Sequence, residues 1–557
     1  MDKIRIIMLG GQDEAFKNMV AIEINNDIFV IEAGFTLPDK TQPGVDFIIP
    51  RYDFLIENKE KVRAYFLTHG YDSVMGALPY IYDKVPAPVY CSRMTANALQ
   101  GFCMHNNLAF EKLAISRVKV DDDIVISNRL ISLFGVTSNF AESFGVCIAS
   151  DQGNIIYLPN AVAHNDFEQG FAPSKQKIAK ITAEKTLVLL IESFNSDKPG
   201  YCSPNYKLLN VLKTDIFDQN GRIFLAIDWP NLFNIIDCLN KAIAHGRKII
   251  PYDITSKEVL AGLSSGGYLQ LQRDSIVSIE EVNRLRPQDV LVFMTGFGKR
   301  LLDKIALLAT KNNDEKIVFL TKNDTFVFGV HVMPETETAA TDTIDELYRT
   351  DCLVLRPKPK EYLRMHACEE DVKLFIATFR PRYLIPVSAP FVKLLACAKI
   401  ALNMNVGLNH NNVFIVDNGN VIEFEAGIGR ISSSKVVAGN ILIDGKGNGD
   451  INSLVLEERH RFADEGVIVL GVTISKSQHE IVAGPDVQAR GLVFLKDNEG
   501  LIKEITRLFV STVQNELVKE NYSIAYMENA VKDIVFKAIR RAINKTPTII
   551  PVIAEIN

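Results

Sequence analysis

A chain of 557 residues exceeds what a single hydrophobic core serves, so two to four domains are expected. Its 47% hydrophobic and 23% charged content is that of an ordinary soluble globular protein. A net charge of −6 excludes a general basic field, so any grip on a polyanion must come from a local basic surface.

Residues 4–9, 19–24 and 27–31 are β-rich, with Gly10-Gly11 ending the first run and Asn25-Asn26 forming a hairpin turn between the other two. Glu32-Ala33-Gly34 follows at once. The apolar strand 62–67 runs into Thr68-His69-Gly70-Tyr71-Asp72-Ser73-Val74-Met75, and Gly76-Ala77-Leu78 starts a helix of small residues. That turn is the setting of a His-x-His-x-Asp-His metal loop from which most ligands have gone. Strands at 89–91, 124–126, 131–136, 146–148 and 155–158, with a helix near 95–101, fit a two-sheet, helix-covered sandwich. The unbroken apolar run 186–191 predicts a strand buried on both faces, delivering Glu192-Ser193-Phe194-Asn195.

From about 204 the spacing becomes regular. Strands 222–227, 248–251, 290–294 and 316–320 alternate with helices 232–244, 257–263 and 301–309, which predicts a doubly wound domain inserted into the first. In such sheets ligands sit at the carboxyl ends of strands, here Asp228-Trp229-Pro230-Asn231 and Tyr252-Asp253-Ile254-Thr255. Trp229, the only tryptophan, serves either core packing or base stacking.

Near 351 the chain returns to its first domain with Tyr362-Leu363-Arg364-Met365-His366, the strand 383–387 ending in Pro386-Val387-Ser388, and a closing strand at 421–424. Residues 426–450, with Ser432-Ser433-Ser434 and Gly445-Lys446-Gly447-Asn448-Gly449, have the composition of a linker. Strands are then expected at 467–473, 479–483, 491–495 and 549–553. Two helical stripes accompany them, Ile502, Ile505, Phe509, Val513, Leu517 and Val531, Ile534, Val535, Ala538, Ala542. Arg540-Arg541 and Lys545 make the last helix basic at its end, as a helix dipole alone would favour.

The eight cysteines form no Cys-x-x-Cys pair, which argues against a zinc ribbon or a disulfide framework. The opening Met1-Asp2-Lys3-Ile4-Arg5 leads straight into a strand, and no run of about 18 apolar residues marks a membrane helix. A cytoplasmic protein is expected.

Several segments in one order resemble the ribonuclease J family of metallo-β-lactamase/β-CASP nucleases: Leu9-Gly10-Gly11 with Lys17-Asn18-Met19, Gly44-Val45-Asp46-Phe47-Ile48-Ile49-Pro50, Thr68-His69-Gly70, Lys198-Pro199-Gly200, Gly439 to Gly445, and Gly484-Pro485-Asp486-Val487-Gln488-Ala489-Arg490-Gly491. The resemblance implies an α/β fold: a metallo-β-lactamase αββα sandwich, an inserted β-CASP doubly wound domain, and a small C-terminal α/β domain. The expected parts are 1–203 and 361–425 for the sandwich, 204–360 for the insertion, 426–450 for the linker and 451–557 for the C-terminal domain, the best candidate for oligomerisation.

Carried over one by one, the family's metal-ligand positions fall on His69, Tyr71, Ser73, Val74, Ser138, Asn160 and Ser388. One imidazole survives of the seven positions. A pair of divalent ions held ~3.5–4 Å apart needs imidazole and carboxylate ligands with enough charge to hold both. Valine has no lone pair, serine and asparagine are neutral, and tyrosine stays protonated near pH 7. The family uses zinc or manganese; here no stoichiometric metal is expected. The alternative is weak binding at one site built from His69, Asp72 and a recruited carboxylate, Glu142 or Glu192. The bland roles are a hydrogen-bonded turn histidine for His69 and a helix cap for Asp72.

The phosphate-gripping positions have changed too. Pro230 replaces a serine, Ile254 an arginine, and Tyr362 to His366 a phosphate cradle of which only His366 matches, although Arg364 can still meet a phosphate. Tyr362, Leu363, Arg364, Met365, His366 and Asn231 are the candidate RNA-facing positions.

The chain thus resembles the family's second paralogue, with a degenerate site. The resemblance implies a structural and RNA-binding partner of the active paralogue in RNA decay and maturation, as a hetero-oligomer or a homodimer, off the membrane. The alternatives are a weak manganese-dependent 5′ exoribonuclease or endonuclease and a free-standing RNA-binding regulator.

Overall fold

The computed structural model describes residues 1–39, 41–164, 170–212, 215–272, 274–312, 318–333, 336–445, 453–492, 499–519 and 521–557. The chain forms two compact units: Met1–Leu37 with Ile48–Ile441, and Pro38–Phe47 with Leu442–Asn557.

In the first unit, two sheets face each other. One runs Ile428–Ile431, Val421–Glu425, Ile4–Gly10, Met19–Ile24, Asp27–Ile31, Val62–Leu67, Val89–Cys91, Ile115–Arg117. The other runs Tyr383–Val387, Thr186–Glu192, Asn154–Leu158, Phe144–Ile148, Arg129–Gly135, Asp123–Ile126. Ile6, Ile22, Phe29 and Phe66 of the first meet Leu133, Val146, Tyr157 and Ile385 of the second in a shared core. Successive strand side chains point to opposite faces. Thr186–Glu192 therefore gives Val188 and Leu190 to that core, and Leu189 and Ile191 to the layer of helices Glu369–Phe379 and Phe391–Asn403 outside. Two burials from one strand explain its unbroken apolar run.

The insertion is a five-stranded parallel sheet, ordered Lys248–Pro251, Val290–Gly296, Ile223–Asp228, Thr325–Gly329, Leu353–Leu355. Its central strand turns Ile223, Leu225 and Ile227 toward Leu232–Ala244 and Ile254–Ser265, and Phe224 and Ala226 toward Gly298–Ala309 and Glu337–Tyr348. Helices on both faces make it doubly wound. Of the expected strand 316–320, Lys316 and Ile317 lie outside the described residues, while Val318 and Leu320 are buried outside any strand. The fourth strand of this sheet is instead Thr325–Gly329, five residues between the Asp324 turn and a glycine.

In the second unit, Val467–Ser475 pairs antiparallel with Glu480–Arg490 and parallel with Thr548–Ile556. Ile468, Leu470, Val472 and Ile474 pack on Ile505, Phe509 and Val513 of Glu499–Leu517 and on Val531, Val535 and Ile539 of Ile524–Ile543. The last helix is rotated slightly from expectation, burying Ile539 and leaving Ile534 exposed. Of the expected strand 491–495, Val493 to Leu495 lie outside the described residues; the sheet's third strand is the C-terminal one.

Residues 426–450 are more than a linker. Ile428–Ile431 extends the first sheet and Asn440–Ile443 is also a strand, with Lys446 to Gly449 outside the described residues. Pro38–Phe47 joins the second unit through backbone groups. Arg459 donates to the carbonyls of Pro43 (3.1 Å) and Gly44 (2.9 Å), His460 Nε2 to that of Thr41 (2.6 Å), and the Asp46 amide to that of Ile443 (2.8 Å). Among the described residues no helix is long and apolar enough to cross a membrane.

Candidate functional site

Parallel pairing of Asp27–Ile31 with Val62–Leu67, and of Asn154–Leu158 with Thr186–Glu192 and Tyr383–Val387, places the carboxyl ends of strands from both sheets around one cleft. Glu32, His69, Asn160, Glu192 and Ser388 follow or end those strands and line a cavity of about 100 Å³, with Asp228 and Asn231 from the insertion. Glu32 (φ 64°) and Ser388 (φ 60°) adopt the left-handed backbone region that non-glycine residues seldom occupy.

Backbone groups fix the turn after Val62–Leu67 independently of its side chains. The Ala33 amide donates to Val74 (2.7 Å), Asn18 to Ser73 (3.0 Å), Phe35 to Asp72 (3.0 Å) and Ala77 to Ala33 (2.8 Å). Gly34 lies so near the turn that a Cβ there would meet the Ser73 carbonyl oxygen at 1.6 Å.

The seven carried-over positions separate on this frame. His69, Tyr71, Ser73, Asn160 and Ser388 line the cavity. Val74 is fully buried in helix Asp72–Met75, and Ser138 turns its hydroxyl to the Phe140 amide (3.1 Å) and to Ser143 Oγ (2.9 Å), away from the cleft. His69 Nδ1 lies 2.8 Å from Thr68 Oγ1, which donates to Glu32 Oε1 at 2.7 Å. Desolvation, with the neighbouring His366, pushes the His69 imidazole down to about 3, so it is neutral at physiological pH. It is the hydrogen-bonded turn histidine.

Asp72 is not the cap expected of it. Tyr71 holds the cap position and Asp72 the first helical one, where its carboxyl lines the cavity and is pushed up to about 7 by desolvation, against the pull of Arg300. Glu142 is not recruited, because it accepts from the Met94 amide (3.1 Å), Arg93 (3.1 Å) and Tyr268 (2.9 Å) outside the cleft. Glu192 does line it, accepting from the Phe194 amide at 2.7 Å with His366 Nδ1 3.2 Å away. Glu32 is buried and pushed up to about 7, chiefly by desolvation. Asn18 and Tyr157 line the cavity with it.

Donor chemistry decides against the family's ion pair. Among the described residues, three His, Cys, Asp or Glu side chains gather within 4.8 Å of one another only at exposed Asp215, Asp218 and His245, outside this cleft. The cleft offers two separated carboxylates already engaged with Thr68 and the Phe194 amide, one neutral imidazole, and amides and hydroxyls. These residues do not fit a dinuclear zinc or manganese centre.

The Tyr362 to His366 stretch divides as well. Leu363 and Met365 are packed in a hydrophobic cluster, and Tyr362 is buried, its hydroxyl accepting from Asn231 Nδ2 at 3.0 Å. Asn231 also caps helix Leu232–Ala244. Only Arg364 and His366 of the five line this cavity. Trp229 packs edge-on against Phe140, 6.3 Å between centroids, which is the packing role. Sequence reasoning missed His331. It follows the unexpected strand Thr325–Gly329, stacks on Tyr362 at 4.1 Å and sets Nδ1 3.3 Å from Asp228 Oδ2. A histidine just past a strand of a doubly wound sheet is the signal that would have found it.

The comparisons agree with this geometry. A model of the ribonuclease J β-CASP domain matches residues 220–347, and a model of the ribonuclease J C-terminal domain matches 454–556. Ribonuclease J 2 of Staphylococcus epidermidis is 30% identical over 99% of this chain and 98% of its own length, and so is Ribonuclease J 2 of Staphylococcus aureus. A crystal structure from Enterococcus faecalis V583, described as a protein of unknown function, superposes with a TM-score of 0.53 at 12% identity, covering 76% of this chain and all of that one. Full-length identity, the two matched domains and a metallo-β-lactamase sandwich holding a β-CASP insertion lead to one assignment: the chain belongs to the ribonuclease J family.

Proposed function

We propose that this chain is a subunit of an RNA decay and maturation complex that has lost hydrolysis and serves as the structural and RNA-binding partner of an active ribonuclease J paralogue in the cytoplasm. The observation that carries the proposal is the contrast within one cleft. The backbone frame of the metal turn is kept, yet its seven ligand positions present a single neutral imidazole. Damage to the fold would have spoiled both. The relatives named Ribonuclease J 2 support the second-paralogue reading.

The test mixes the purified chain with the active paralogue. Co-elution and a changed rate or pattern of RNA cleavage are expected; neither occurring defeats the proposal. Asp72, lining the same cavity as His69, favours one further reading, a weak manganese-dependent ribonuclease. That reading requires stoichiometric metal in protein purified without chelator, and RNA cleavage that disappears in His69→Ala. A free-standing RNA-binding regulator would instead show salt-sensitive RNA affinity alone and indifference to the paralogue.

A further inference from the structure

Beside the degenerate site, in the first unit, lies a second cavity of about 380 Å³. Lys198, Arg356, Arg364 and Lys393 all contribute to its lining, and among the described residues no carboxylate does. None of the four is ion-paired among the described residues, whereas Arg222 and Arg129 nearby in the same unit each have an aspartate partner. Lys393 is held without a counter-ion: its ammonium donates to the Phe194 carbonyl (2.6 Å) and lies 3.9 Å from the centre of the Phe194 ring. His331 adds a side chain only 9% exposed whose Nε2 has no hydrogen-bond partner.

Cations gathered in a partly desolvated pocket repel one another until an anion arrives. Phosphate is the anion that such a set of guanidinium and ammonium groups suits. Phosphate alone would leave the rest of the space unfilled. The remaining wall is flat and aromatic, with Phe16 and Phe194 6.0 Å apart and Tyr362 stacked under His331. The volume falls in the range of small-molecule sites, and an aromatic face next to cations is what a nucleobase joined to a phosphate needs.

We propose that this cavity binds a free nucleotide, a nucleoside mono- or diphosphate, with its phosphate on Lys198, Arg356, Arg364 and Lys393 and its base against the Phe16–Phe194 wall. The assignment does not depend on whether the chain joins an RNA-processing complex.

Titration calorimetry of the full-length chain with UMP, ADP and inorganic phosphate, at low and high salt, tests it. Saturable one-to-one nucleotide binding that is tighter than phosphate binding and weakens with salt is expected. The double variant Lys198→Gln/Arg356→Gln changes half-buried and exposed side chains without partners, and a thermal melt like the parent's shows that it folds. Its nucleotide affinity should fall roughly tenfold or more, the loss of charge-assisted contacts. Phe194→Leu should weaken the nucleotide and leave phosphate unaffected. No saturable nucleotide binding, an unchanged affinity in a folded double variant, or binding of an RNA oligonucleotide but of no mononucleotide would each overturn the proposal.

Discussion

Glu32 sits where burial and a neighbouring carboxylate, Glu192, work against ionisation, and the hydrogen bonds from Thr68, Tyr157 and Asn18 offset only part of this. Its folded value, about 7, lies above the ordinary 4.5, so the folded state holds this proton more tightly than the unfolded chain. The stabilising proton is fully present below pH 4.5 and lost as pH rises through 7. Replacing Glu32 by Gln removes that dependence. The stability of Glu32→Gln relative to the parent should therefore rise by about 3 kcal/mol between pH 4.5 and 8, read from urea unfolding at several pH values. His69 has the opposite sign: pushed down to about 3, it adds stability as pH climbs from 3 to 6.5. His69→Ala should cost about 1–3 kcal/mol through the orphaned Thr68–Glu32 pair while leaving metal content unchanged. At this scale the sequence was informative about loss. The replacement of ligands at Tyr71, Ser73, Asn160 and Ser388 was readable from residue types, and all four line the cleft. It could not reveal that Ser138 turns inward, that Glu142 is engaged elsewhere or that His331 enters, because each depends on a backbone direction or a distant element.

Strands were legible wherever their apolar period met a clear turn. Met19–Ile24, Asp27–Ile31, Val62–Leu67 and Tyr383–Val387 match the expected limits, each delimited by Asn, Gly, Thr or Ser. Thr325–Gly329 was not, since five residues carry little period of their own and its place is set by pairing with Ile223–Asp228. The turn after Val62–Leu67 is held by contact with Glu32-Ala33-Gly34 more than by its own side chains. Gly34→Ala, whose new carbon would strike the Ser73 oxygen, should cost about 3 kcal/mol or more, measured as a lowered urea midpoint with m unchanged. A substitution in the turn that keeps its backbone, such as Ser73→Ala, should cost less than about 1 kcal/mol.

For the whole molecule, composition and alternation gave the sandwich, the doubly wound insertion and a separate C-terminal sheet, because each buries its own core. The grouping of Pro38–Phe47 with the C-terminal residues was invisible, since it rests on backbone contacts across some four hundred positions that leave no local period. A fragment spanning 442–557 should retain its three strands and two helices by circular dichroism, yet melt lower than the same fragment supplied with a peptide of residues 38–47.

That lacing constrains synthesis. Residues 38–47 leave the ribosome long before Arg459 and His460 exist, and at roughly 5–20 residues per second the wait is on the order of tens of seconds. Through that interval the nascent strap carries unmet carbonyls, so its docking belongs among the last events of maturation, and a chaperone or protease acting on the growing chain would find it there.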